Sequence, residues 1–90
     1  MSFLIVKPGC RQAFAHRHEN AEEVYVILSG SGRVKLGDEV ENVKPMDAIR
    51  VAPAVARQFE AGPDGLEVLA FGPHRPKDGE LLKEDFWGDA

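Results

Sequence analysis

The chain has 90 residues, a formal net charge of −4 and a single cysteine, Cys10. This length suffices for one domain, and folding would bury only about 60% of the surface of the unfolded chain. One cysteine excludes an internal disulfide, and without a concentrated run of lysines or arginines neither nucleic acid nor an anionic membrane is favoured as a partner. The apolar run Phe3–Val6 is too short for a signal peptide or a membrane span. We therefore expect a cytoplasmic domain.

Glycine and proline interrupt the sequence at intervals of about eight to twelve residues, and the segments between them alternate between apolar and polar residues. The pattern predicts eight short strands: Phe3–Lys7, Gln12–His18, Glu22–Ser29, Gly32–Leu36, Val40–Lys44, Ala48–Ala52, Arg57–Ala61 and Leu66–Phe71. Gly37-Asp38 predicts a tight hairpin, and turns are also expected at Ser29–Gly32 and Lys44–Asp47. The sequence therefore predicts an all-β barrel or jelly roll over residues 1–72.

Residues 73–90 have a different composition from the rest of the chain. They begin with a proline-rich, charged stretch. Leu81, Leu82, Phe86 and Trp87 then follow at spacings that are compatible with a short helix. We expect this tail to pack over the barrel as a strap.

The predicted strand Glu22–Ser29 is apolar on both of its faces. Tyr25 and Ile27 point to one side, while Val24, Val26 and Leu28 point to the other. Such a strand needs cover on both sides. The tail or a second sheet of the same chain could supply the second cover, and a homodimer interface would explain it equally well and would compensate for the small core.

Two histidines and a carboxylate form a candidate metal site. His16 and His18 are two residues apart in a predicted strand, so their side chains share a face, about 7 Å apart along the backbone. A turn then returns the chain as a neighbouring antiparallel strand that carries Glu22 and Glu23. Two imidazoles with one carboxylate suit Fe(II), and also manganese, zinc, nickel or copper. Alternating histidines are more often solvated, so the pair by itself does not establish a site.

The spacing around these residues resembles the first conserved motif of the cupin superfamily. In that motif His-x-His is followed after four residues by Glu and after six more by Gly, and His16, His18, Glu23 and Gly30 occupy the matching places. The gap to Gly30 selects Glu23 over Glu22. Residues 45–59 resemble the second motif, although more loosely, and the resemblance spans residues 9–61. It implies a cupin barrel with a mononuclear divalent transition metal.

The second motif departs from the family pattern at its metal ligand. Arg57 stands where the family usually has its third histidine, and Met46 and Ala61 replace a glycine and an asparagine. Arginine stays protonated and is not a metal ligand. Two arrangements remain open. In one, the three remaining ligands bind a metal and Arg57 holds an anionic ligand beside it; in the other, Arg57 pairs with Glu23 and metal binding is weak or absent.

The residue pattern also suggests which side chains line the cavity. Tyr25 and Phe59 have the right parity to contact a ligand near Glu23 and Arg57, although core packing is the commoner role for such residues. The leading interpretation is a small-molecule-binding cupin with a metal site, and the alternative is a metal-free binding module in which Arg57 replaces the histidine. Because one fold hosts many functions, the sequence does not select a reaction, and whether the chain is an enzyme stays open.

Overall fold

A computed structural model of the chain describes residues 2–12, 15–18, 22–72, 79–82 and 87, with the backbone alone at 15–18 and 79–82. These ranges contain seven strands: β1 (Ser2–Val6), β2 (Ala15–His18), β3 (Glu23–Leu36), β4 (Glu39–Val43), β5 (Ala48–Val51), β6 (Arg57–Phe71) and β7 (Gly79–Leu82). The described ranges contain no helix, and so none with the length and apolarity to cross a membrane. The prediction of an all-β chain is confirmed.

Two strands are much longer than the sequence pattern predicts. β3 runs for 14 residues and β6 for 15, and the two pair antiparallel along most of their length. The predicted turn at Ser29–Gly32 is therefore wrong, and so is the predicted break between Arg57–Ala61 and Leu66–Phe71. Shifts of register between Ile27 and Ser29 and between Gly30 and Gly32 bend the pair without ending it. Such irregularities increase the local twist of a strand and allow a sheet to curl.

Gly30 makes the closest approach in this bend. Its φ is +85°, and a Cβ placed on it would lie 2.0 Å from the carbonyl oxygen of Gly65 on β6. Only a residue without a Cβ fits there, because both the backbone conformation and the space exclude a side chain. Gly30 therefore lets β3 and β6 touch backbone to backbone at the point where they bend.

The remaining strands extend this central pair. The hydrogen-bonded order is β4-β3-β6-β2-β7, with β1 added to β6 and β5 added to β3. The predicted turns at Gly37-Asp38 and Lys44–Asp47 are confirmed. The interior holds an apolar cluster of Val6, Tyr25, Ile27, Val34, Val43, Val51, Phe59, Ala61, Leu66, Val68 and Ala70.

The tail contributes a strand instead of the predicted helix. β7 pairs antiparallel with β2, so that Leu81 lies opposite His16. A short strand satisfies the backbone groups that β2 would otherwise leave unpaired at the edge of the sheet, which an isolated helical turn would not do. The prediction of a helical turn through Leu81 and Leu82 is therefore wrong, and Phe86 lies outside the described residues.

Trp87 is buried against the outer surface of the barrel, with 2% of its surface exposed. Its Nε1 donates to the Oε1 of Gln58 at 2.6 Å, and the guanidinium carbons of Arg11 and Arg33 lie 4.5 and 5.1 Å from its ring centroid. Glu60 accepts from both arginines, at 2.7 Å from Arg11 and 2.5 Å from Arg33. We call these five residues the Trp87 cluster. Stacking and ion pairing thus act together to hold Trp87 on β6.

The carboxyl of Glu60 titrates lower than an ordinary glutamate. Partial burial on its own raises the pKa of Glu60, but the hydrogen bonds from Arg33 and Arg11 outweigh that effect and lower it overall. The carboxylate is therefore the form that the Trp87 cluster stabilises.

The close approach at Gly30 can be tested by substitution with alanine. We expect Gly30→Ala to lower the free energy of unfolding by about 3 kcal/mol or more, because backbone strain is joined by a clash with Gly65. Gly37→Ala is the matched control, since Gly37 also has a positive φ of +58° but has no neighbour within 4 Å. It should lose only about 1–2 kcal/mol. Equal losses in urea unfolding would contradict a steric role for Gly30.

The lowered pKa of Glu60 predicts a pH-dependent contribution to stability. The carboxylate stabilises the fold above its ordinary pKa of 4.5, and this stabilisation is lost as the pH falls through the lower folded value. Glu60→Gln should therefore weaken the fold near pH 7 and match the natural protein once the pH lies below the lowered folded pKa of Glu60. Urea unfolding followed by the fluorescence of Trp87, the only tryptophan of the chain, measures this difference. The control Glu41→Gln alters an exposed position on β4 and should lose little stability near pH 7.

Candidate functional site

Arg57 places a positive charge in the interior of the barrel. Its side chain is fully buried, with 0% exposure. Nη2 donates to the carbonyl oxygen of Ala52 at 2.6 Å and lies 3.4 Å from that of Pro53, while Nη1 lies 3.4 Å from Oε1 of Glu23. Nε has no hydrogen-bond partner among the described residues. The guanidinium is therefore anchored by backbone carbonyls and by one carboxylate, while its Nε donor is unused among the described residues.

Glu23 reaches Arg57 only because the long strands bend. In the pairing of β3 with β6, Leu36 lies opposite Arg57, and Glu23 is at the far end of β3. Along a straight strand these two ends would be about 40 Å apart. The curled sheet brings the side chains of Glu23 and Arg57 into contact, and 20% of the Glu23 side chain remains exposed. We call the two residues the Glu23–Arg57 pair.

Tyr25 fixes the carboxylate of this pair. Its hydroxyl donates to Oε1 of Glu23 at 2.6 Å, which is the oxygen that Arg57 contacts. Burial, and then the hydrogen bond to Glu23, raise the pKa of Tyr25 far above its ordinary value. The phenol therefore stays protonated at any physiological pH, acting as a hydrogen-bond donor and not as a base.

Phe59 packs against Tyr25 beside the pair. The two ring centroids are 5.1 Å apart with an angle of 68° between the ring planes, an edge-to-face arrangement. Both rings belong to the apolar core. This geometry accounts for core packing, and a contact of either ring with a ligand stays a prediction.

The two histidines lie on β2, but their side chains are outside the described residues. The metal ligand set of His16, His18 and Glu23 therefore stays a prediction. The backbone register does place His16 directly opposite Arg57, where β2 pairs with β6. Directly opposed positions of an antiparallel pair belong to one face of the sheet. Position 16 is thus the cross-strand neighbour of position 57.

Glu22 occupies the opposite face of the barrel wall from Glu23. Its Oε1 accepts from Nε of Arg50 at 2.8 Å in an exposed ion pair on the outer surface. Arg50 therefore points outward, whereas its neighbour Val51 is buried in the core. Of the two adjacent glutamates, Glu23 is the one that contacts the buried arginine.

Two contacts of the site had no side-chain signature in the sequence. The carbonyl oxygens of Ala52 and Pro53 hold Arg57, and a backbone carbonyl is the same for every residue type. The proline of the turn that follows β5 was the only available signal. Met46, by contrast, has a φ of +77° in the place where the resemblance expects glycine, so the backbone of that turn adopts a conformation that favours glycine although its residue is methionine.

Comparison with known proteins is consistent with this architecture. The family model described as a cupin domain matches residues 2–71. The chain belongs to the cupin family. An uncharacterized protein of Methanocaldococcus jannaschii is 31% identical over 81 residues, which cover 87% of this chain and 65% of that protein.

Solved cupin structures resemble the chain at a similar level. A cupin protein from Bacteroides fragilis has a TM-score of 0.76 and 30% identity, with 84% of this chain and 65% of that chain covered. A predicted oxalate decarboxylase from Thermotoga maritima has a TM-score of 0.72 and 27% identity, with 78% and 61% covered. This cupin therefore spans less than two thirds of the length of these relatives.

The coupling within the Glu23–Arg57 pair can be measured by a double-mutant cycle. Glu23→Gln should lower the free energy of unfolding by about 2–3 kcal/mol, because it leaves a buried guanidinium without its counter-charge; the loss is at or below the low end of about 3–5 kcal/mol for a fully buried pair, since 20% of the Glu23 side chain is exposed. Arg57→Met removes that charge, so the double variant should lose at least about 1 kcal/mol less than the sum of the two single variants. Urea unfolding of the four proteins gives the coupling energy. Additive losses would show that the two residues do not stabilise each other.

Proposed function

We propose that this cupin binds a small molecule at a site organised by the Glu23–Arg57 pair, in place of a resident four-ligand metal. The observation that carries the proposal is the fully buried guanidinium of Arg57 at 3.4 Å from the carboxylate of Glu23. Arg57 stands at the position from which the resemblance expects a metal-binding histidine. The positive charge of Arg57 therefore lies where a neutral side chain that binds a metal cation is expected.

The charge balance of the site disfavours a divalent cation on its own. Glu23 and Arg57 together carry no net charge. A divalent ion held by Glu23 and neutral histidines would bring the net charge of the site, with its buried guanidinium, to +2, and charge repulsion there is weakly screened. The described residues therefore do not fit a resident divalent metal unless an anion accompanies it.

The unused donor of Arg57 indicates the chemistry of the ligand. A buried Nε without a partner costs free energy until an acceptor satisfies it. A carboxylate oxygen is a strong acceptor for a charged guanidinium N–H, because such charge-assisted hydrogen bonds are stronger than neutral ones. The proposed ligand is therefore a small carboxylate, which agrees with the oxalate named for the Thermotoga relative.

A second candidate is a metal site that forms together with an anionic ligand. It is favoured by the 20% exposure of the Glu23 side chain, since the carboxylate is the half of the pair that solvent reaches. In this candidate His16, His18 and Glu23 would hold a divalent ion of iron, manganese, zinc, nickel or copper. A doubly charged anion on Arg57 would then balance the charge. The ion would supply Lewis-acid or redox chemistry, and no residue of the chain is assigned a catalytic role.

Metal analysis of tag-free protein distinguishes these candidates. The natural protein and Arg57→His are each exposed to manganese or zinc, with and without oxalate, and then dialysed. We expect no retained metal in the natural protein and about one equivalent in Arg57→His, which restores a fourth ligand. Arg50→His is the matched control, because it adds a histidine on the outer surface and should retain no metal.

The remaining outcomes identify the alternative or reject the proposal. Metal retained by the natural protein only when oxalate is present would support the second candidate. Retention without oxalate would overturn the proposal, whatever Arg57→His does. Oxalate without metal should raise the melting temperature of the natural protein and leave that of Arg57→Met unchanged. An equal shift in both proteins would exclude Arg57 as the carboxylate site.

A further inference from the structure

One outer face of the barrel is apolar and exposed to solvent. It is formed by β1, the first part of β3 and the last part of β6, which pair in register. Its apolar residues, which we call the open face, are Phe3, Ile5, Val24, Val26, Leu69 and Phe71. Ile5 is 67% exposed, Phe3 53% and Phe71 40%. Large apolar side chains that adjoin in this way on a monomer mark an interaction surface.

The other half of the barrel has a different outer surface. There the first part of β6 and the second part of β3 present polar residues, with Arg33 opposite Glu60 and Lys35 opposite Gln58. Trp87 covers this surface through its contacts within the Trp87 cluster. The chain thus covers its polar outer face with its own tail residue, and the apolar outer face carries no comparable cover among the described residues.

We propose that a second copy of this chain packs on the open face. A fully exposed side chain of this size presents about 200 Å², so the exposed fractions of Phe3, Ile5 and Phe71 correspond to roughly 300 Å² of apolar surface. Interfaces are about 56–65% apolar, which gives a patch of about 500 Å² on each copy. A two-fold dimer would then bury about 1,000 Å² in total, which reaches the size of a specific interface before the half-buried Val24, Val26 and Leu69 are counted.

The charges around the open face permit self-association. Arg50 lies beside Val24 on the neighbouring strand and is already paired with Glu22. Glu67, opposite Ile5, accepts a hydrogen bond from Ser29. A two-fold interface brings each patch against its own copy, so a cluster of like charges would oppose it. The charged residues around the open face carry both signs and are mostly paired within the chain. The contact between two copies therefore depends mainly on the apolar residues of the open face.

Because the domain is small, packing against a second copy would increase the stability of its fold. A chain of 90 residues buries a smaller fraction of its surface than a larger domain does. Pairing two open faces extends the apolar core across the two-fold axis and removes Phe3, Ile5 and Phe71 from water. This inference does not depend on the proposed function, because the Glu23–Arg57 pair lies inside the barrel.

Sedimentation equilibrium and light scattering of the natural protein and of Ile5→Lys test the proposal. The natural protein should be a dimer at about 100 μM, with a melting temperature that rises with protein concentration. Ile5→Lys should weaken the dimer at least about 100-fold, since the substitution occurs twice in a two-fold interface. The control Val40→Lys alters an apolar residue that is 36% exposed on β4, outside the open face, and should remain dimeric.

Several results would overturn the inference. These are a monomeric natural protein at about 100 μM, a dimer that Ile5→Lys leaves intact, or equal weakening by Val40→Lys. Because Ile5 is already mostly exposed in the single chain, its substitution should not disturb the fold, and circular dichroism checks this. If Ile5→Lys does unfold, Phe3→Gln is measured in its place and the same outcomes apply. If the natural protein is monomeric alone but forms a complex with a different protein, that protein and not a second copy of the chain occupies the open face.

Discussion

The antiparallel pairing of β3 with β6 is the constraint on which the rest of this cupin depends. The two strands supply most of the core residues, and every other strand except β7 pairs directly with one of them. The pair bends where Gly30 meets the backbone of Gly65. Without that bend the sheet would be open, and Glu23 and Arg57 would remain at opposite ends of it. The fold and the candidate site therefore share one cause.

The interior charge of Arg57 is tolerated because the backbone supplies much of its solvation. Ala52 and Pro53 offer carbonyl oxygens, and Glu23 offers the counter-charge. A buried ion pair of this kind adds little net stability, since desolvation offsets the attraction. Its importance lies in the charge balance of the site: the guanidinium and the Glu23 carboxylate together carry no net charge, and the proposal that a bare cation is disfavoured rests on this balance. In this cupin the electrostatics of the site are set by one residue that departs from the family motif.

The two outer faces illustrate how a small domain deals with incomplete burial. The polar face is closed by Trp87, whose ring is held between two arginines that share Glu60. Stacking and ion pairing of this kind cannot cover the apolar face, because it presents aromatic and branched side chains with few polar partners. A surface rich in apolar side chains is stabilised most when it packs against another apolar surface and both are removed from water. The difference between the faces follows from the alternation of the same two strands, before and after their bend.

The sequence by itself determined the all-β class, the cupin resemblance, the opposite faces of Glu22 and Glu23 and the unusual position of Arg57, because strand alternation and motif spacing are local properties. It did not determine that Ser29–Gly32 and residues 62–65 continue their strands, since a glycine-rich segment is compatible with either a turn or a bend. It also did not determine the strand at Gly79–Leu82, which exists only because β2 offers an edge. The contact of Arg57 with Glu23 and with two backbone carbonyls was likewise decided by the tertiary structure. These contacts join residues far apart in the chain, and only the curvature of the closed sheet sets the distances between them.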